Sequence, residues 1–171
     1  MPASPRSSDG AQPRVAPPGD RGGGLGALFA ATSAYWAGGG KLGTDTVARA
    51  LAERVAARDP GFVATLWAAA ALKALLAVLA LALTRPWRTR FARVLRLAGW
   101  VTGGALALYG AFGLGEFGLM ELDALDVPAD VGRAAIAWYV CLWEPVWLLG
   151  GILFLATTRA VHLEVARSRP T

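Results

Sequence analysis

An all-helical, membrane-embedded four-helix bundle preceded by a disordered amino-terminal tail is the fold this sequence predicts. Three observations lead there. Hydrophobic residues make up 55% of the 171 residues and charged ones only 17%, against about 25% charged in ordinary soluble domains. Charges fall in clusters separated by four apolar stretches, and the mean hydropathy is +0.44. Lys and Arg are unevenly divided between alternate clusters, which is how cytoplasmic and outer loops differ.

Residues 1–21, MPASPRSSDGAQPRVAPPGDR, are rich in Pro, Ser, Gly and Ala and have no apolar period. Such a segment cannot bury enough surface to offset its ordering entropy, so a disordered cytoplasmic tail is expected. The first apolar stretch, 22–39, is the shortest and weakest of the four. A cleaved signal peptide is the alternative for it, with a basic flank, a short apolar core and small residues such as Ala31 and Ala34. Against that, the second stretch follows smoothly and YWAGGG lacks a convincing cleavage pattern.

The loop TDTVARALAERVAARDPG predicts a short helix. Asp45 stands at its start, an Asp59-Pro60-Gly61 stop at its end, and Val47, Leu51 and Val55 recur at four-residue spacing. That face is expected either on the bilayer surface or on a solvated loop helix. The second, third and fourth spans are expected at 62–84, 94–118 and 134–158, each long enough for the roughly 20 apolar residues that a crossing requires. Residues 160–171 close the chain as a second cytoplasmic tail, and 22–159 form the membrane domain.

Orientation follows from the basic residues. Arg6, Arg14 and Arg21, then Arg85, Arg88, Arg90, Arg93 and Arg96, then Arg159, Arg167 and Arg169 lie on one side. Lys41, Arg49, Arg54, Arg58 and Arg133 lie on the other. Both termini are therefore expected to be cytoplasmic. The net charge of +5 arises from these flanks rather than from a basic patch with aromatics beside it, so nucleic acid is not an expected partner. The bilayer is.

Several chemistries are excluded or disfavoured. One cysteine, Cys141, rules out an internal disulfide or a CxxC motif, and one histidine, His162, rules out a histidine metal cluster. Glu116, Glu121, Asp123, Asp126 and Asp130 crowd the loop between spans three and four, but without the spacing or glycine turn of a calcium loop. There is no GxSxG, HExxH or GxxxxGK[ST]. No cofactor, metal or catalytic residue is expected.

What remains is a set of polar residues deep in the apolar stretches. Lys73 is mid-span, about 16 Å from either end, too deep to reach water along its own stem. Glu144 lies at nearly the same depth in the fourth span, within about 1.5 Å. The two are expected to meet near the bundle axis as a buried pair. Tyr109, Thr32 and Ser33 reach similar depths and complete a polar layer. Pro145 removes a backbone donor and pushes on the carbonyl of Cys141, so a kink is expected there.

Tyr139, Trp143 and Trp147, joined by Trp36 from the first span, form either an aromatic-walled pocket or ordinary packing. Gly99, Gly103 and Gly110, continued by Ala107, and Gly150 and Gly151 in the fourth span, let helices approach closely. They describe either packing within one chain or a face for a second copy.

The segments AYWAGGGKLGTDTV (34–47), LWAAAALK (66–73), RPW (85–87), AGW (98–100), LYG (108–110), LDVP (125–128) and WYVCLWEPVWLLGGILF (138–154) carry a resemblance. Together they cover roughly 27–160 and make the chain similar to the small four-span bacterial membrane proteins classed as domain of unknown function 3995. The resemblance implies a multi-pass protein of the bacterial inner membrane and supplies no substrate or catalytic residue. The residues themselves suggest a structural or interaction role built on Lys73 and Glu144. A small oligomeric transporter or proton-coupled carrier using the same two residues is the alternative. A lipid-binding protein or membrane enzyme with Glu144 as acid/base comes third.

Overall fold

The computed structural model describes residues 18–85 and 90–167, and every regular element among them is helical. Helix α1 spans Pro18–Ala37; a 3-10 turn, Thr44–Thr46, follows; then come α2, Arg49–Ala57, and α3, Pro60–Leu83. Helix α4, Arg90–Glu121, and α5, Arg133–Trp138, precede a π-helical turn, Tyr139–Trp143, which runs directly into α6, Glu144–Arg167. The four expected spans therefore correspond to α1, α3, α4 and the continuous α5–α6 rod. Most of the expected tail over 1–21 lies outside the described residues, and from Pro18 the chain is already helical. The carboxy-terminal tail expected from 160 is helical through Arg167.

Three of these rods, Pro60–Leu83, Phe91–Glu121 and Arg133–Leu163, are long and apolar enough to cross a membrane. α1 is not among the three found in the described residues. Most of the apolar surface of the three faces outward: no more than 28% of the residues in each most apolar stretch are buried. Trp67, Leu72, Leu75 and Val78 on α3, and Leu97, Val101, Leu108 and Phe112 on α4, are all exposed. An apolar exterior of this extent would be a liability in water and suits lipid.

The long helices associate in pairs. α1 packs along α3 and α4 along α6, while α6 also meets α1 and the remaining contacts are thinner. The α4–α6 seam is built of small residues in antiparallel register. Gly99 faces Thr158, Gly103 faces Leu155, Ala107 faces Gly151 and Gly110 faces Leu148. A methyl group added at Gly110 or Gly151 would collide with the backbone of the opposite helix, so close backbone approach requires glycine there. Gly150 is different, because a methyl there would meet open space.

At the end of the molecule expected to be outer, the segments between α1 and α3 fold back as a cap. Trp36, Ala37, Val47, Val55 and Leu66 form a buried cluster with Phe62 and Trp143 packed on it. Val47 and Val55 thus turn inward onto protein, a third outcome beside the bilayer-surface and solvated placements expected. Leu51 stays exposed.

The element boundaries here differ from expectation for local reasons. Asp45 lies inside the 3-10 turn, and Ala48 occupies the N-cap of α2. That helix ends where Arg58 adopts a left-handed conformation, φ 55°. Asp59 does not end it; its side chain caps α3, accepting from the Phe62 amide at 2.7 Å, and Pro60 takes the first helical turn where it lacks nothing.

Candidate functional site

Lys73 projects from α3 toward α1 and α6. Its Nζ donates to Ser33 Oγ at 2.8 Å, and the ammonium lies 5.3 Å from the ring centres of both Phe29 and Trp147. Both rings are within the range at which an aromatic face attracts a cation. Ser33 is itself buried, 3% exposed. Phe29, Ser33 and Trp36 follow at helical spacing, so one face of α1 supplies the ring, the hydroxyl and the next aromatic.

A partly open cavity of about 50 Å³ adjoins the amine. All four long helices line it, through Gly26 and Phe29, Lys73 and Leu76, Leu106, and Val146, Trp147, Gly150 and Phe154. Among the described residues, Lys73 is the one charged side chain in that wall.

Glu144 belongs to the other helix pair. It is 3% exposed, and its Oε2 has no hydrogen-bond partner. The carboxyl occupies a notch on α4 created by Gly113, where any Cβ would collide with it. The direct Lys73–Glu144 pair expected from their matching depths is not formed. Among the described residues the one ion pair joins Arg133 to Asp123, at an exposed site.

The physical reason lies in the pairing of helices. α3 leans on α1 and α6 leans on α4, with little direct contact between α3 and α6, so similar positions along the two helices do not bring the charges together. The Trp147 ring, one turn beyond Glu144, stands opposite the ammonium instead.

The rest of the polar layer divides similarly. Thr32 bonds back to the Leu28 carbonyl of its own helix at 3.1 Å and does not join Lys73. Tyr109 remains 60% exposed and touches Trp147 edge to face, with ring centres 5.8 Å apart.

At Pro145 the chain answers the missing donor with a widened turn. Tyr139–Trp143 is π-helical and the Glu144 amide bonds the Tyr139 carbonyl, a common way of absorbing such an interruption. That turn aims side chains into the cap. Trp143 Nε1 donates to the Thr46 carbonyl at 2.9 Å, and Tyr139 OH accepts from the Ala48 amide at 3.3 Å.

Among the aromatics, Trp36 and Trp143 pack together, ring centres 5.9 Å apart, and Tyr139 stacks on Phe117. Phe29 is the hub, meeting Trp143 at 5.4 Å and Trp147 at 5.5 Å edge to face. Sequence reasoning missed Phe29 and Gly113. The helical spacing Gly26–Phe29–Ser33–Trp36 would have found the first. Extending the Gly103–Ala107–Gly110 stripe by one more turn would have found the second.

Fold and site together define an all-helical protein with three membrane-capable rods, a buried carboxyl at Glu144 and a half-buried amine at Lys73 that do not meet. The sequence matches, over residues 26–154, the family described as Protein of unknown function (DUF3995), and the chain belongs to that family. No curated protein and no solved structure matches it.

Proposed function

We propose that the chain is a four-span integral protein of the bacterial inner membrane, both termini cytoplasmic, with a non-enzymatic interaction or scaffolding role. In this reading each deep polar group fixes the register of one helix pair. The observation that carries it is the division of those groups: Lys73 with Ser33 between α1 and α3, and Glu144 in the Gly113 notch between α4 and α6. Buried polar and ionic groups can select one packing over others even where they add little stability.

α1 serves as the fourth span. Its 20 residues extend about 30 Å, the thickness of the hydrocarbon core, and its weaker apolar character is offset by cover from α3 and α6. Eleven Lys and Arg on the tail and α3–α4 side against five on the other support the orientation.

Single cysteines placed at each terminus and at Lys41, in a Cys141→Ser background, test the topology with a membrane-impermeant thiol reagent. The Lys41 site is expected to label in intact cells with the outer membrane opened, and both termini only after lysis. Labelling of either terminus from outside sinks this arrangement.

A second reading is favoured by one feature, the unpartnered Glu144 oxygen beside a junction of helix pairs. Intramembrane carboxyls commonly mark ion or proton pathways, so a small carrier would use this group. Proteoliposomes decide between the two. The scaffold role expects Glu144→Gln to leave proton flux at the level of empty vesicles, as in the parent protein. A parent flux that Glu144→Gln abolishes without altering the melting temperature assigns the carrier role instead.

A further inference from the structure

We infer that the Lys73 cavity is a binding site for the carboxyl head of a single-chain fatty acid drawn from the bilayer. Lys73 has three N–H donors, and one goes to Ser33. Among the described residues no acceptor takes the other two and no carboxylate lies within ion-pair distance. A half-buried ammonium that keeps two N–H groups without acceptors in an apolar setting is costly. The most direct compensation is an acid placed beside it.

The cavity sets the size and character of that acid. About 50 Å³ is more than the 10–15 Å³ that one water needs and accommodates a group of a few heavy atoms. The surrounding wall is apolar, from Phe29, Leu76, Leu106 and Phe154, and suits a hydrocarbon chain leaving through the open side.

Depth selects further. Lys73 lies ten residues before the end of α3 at Leu83, about 15 Å along the axis. A phospholipid phosphate is held at the interface by its headgroup and cannot follow it there. A fatty acid can enter in its neutral form, avoiding the cost of carrying a bare charge into hydrocarbon. Once it is beside the ammonium, the acid gives up its proton to water through the open side, and the resulting ammonium–carboxylate pair carries no net charge. No covalent step is involved.

The inference rests on the membrane placement proposed above but not on the scaffolding role. Its test uses the full chain in phosphatidylcholine nanodiscs, released for native mass spectrometry after incubation with oleic acid, methyl oleate or phosphatidic acid. One oleate retained per chain is the expected result, with methyl oleate and phosphatidic acid lost. Lys73→Met is expected to weaken oleate retention about tenfold or more.

Gly150→Leu keeps the amine but fills the cavity, into which Gly150 opens without contacts, and is expected to do the same. Either variant therefore tests the site if the other fails to fold. Glu144→Gln is expected to retain oleate like the parent. Equal retention of methyl oleate, preference for phosphatidic acid, or unchanged binding in a folded Lys73→Met or Gly150→Leu protein overturns the assignment. Thermal melting of the same samples reads helix pairing separately, so loss of one property is distinguishable from loss of the other.

Discussion

Lys73 and Glu144 are each satisfied, or left unsatisfied, by their own helix pair, and this has a measurable signature. In a double-mutant cycle of Ser33→Ala and Lys73→Met, the hydrogen bond at 2.8 Å is expected to appear as a coupling energy. Polar contacts between membrane helices are worth about 0.6 kcal/mol on average and up to about 1.7. The cycle of Lys73→Met with Glu144→Gln is expected to be additive within roughly 0.5 kcal/mol, as for groups that share no partner. Reversible unfolding in mixed micelles measures both. A large coupling in the second cycle would mean that the two charges meet after all. At the α4 notch, Gly113→Ala is expected to destabilise by about 1–3 kcal/mol through overpacking, and Glu144→Ala in the same chain to relieve it, because the carboxyl is what the new methyl would strike.

At the scale of helices, the α4–α6 seam makes a graded prediction. Gly110→Ala and Gly151→Ala press a methyl against opposing backbone, which cannot rotate away, so they are expected to cost more than Gly113→Ala, where a side chain can yield. Gly104→Ala and Gly150→Ala meet nothing within 4 Å and are expected to be neutral or to stabilise by up to about 1 kcal/mol through helix propensity. Melting temperatures of the five variants give the order directly. Much of this element was readable beforehand. Gly99, Gly103 and Gly110 announced a close-packed face, and Pro145 announced an interruption. The form of the interruption was not readable. A proline reports a lost donor, but whether the rod bends or inserts a wide turn depends on what the freed side chains meet. Here Trp143 and Tyr139 reach Thr46 and Ala48, residues of a cap distant in sequence.

For the whole molecule, the long apolar runs fixed the positions of the rods because a crossing length is a property of one segment. Which rods neighbour one another is a property of four segments at once, and nothing local encodes it. That is why the helices that carry Lys73 and Glu144 were legible and the failure of the two charges to pair was not, and why Phe29 emerged as a hub only once α1 lay beside α6. One feature of α1 bears on how the protein is made. Each segment leaving the ribosome partitions into lipid on its own apolar content, and the first apolar stretch, 22–39, is the shortest of the four and opens on Gly22, Gly23 and Gly24. It is expected to wait for α3 and enter as a hairpin. Fused to a reporter whose activity depends on its side of the membrane, residues 1–45 are expected to integrate poorly and residues 1–85 efficiently. The weakest rod would then owe its residence in the membrane to its neighbour's arrival.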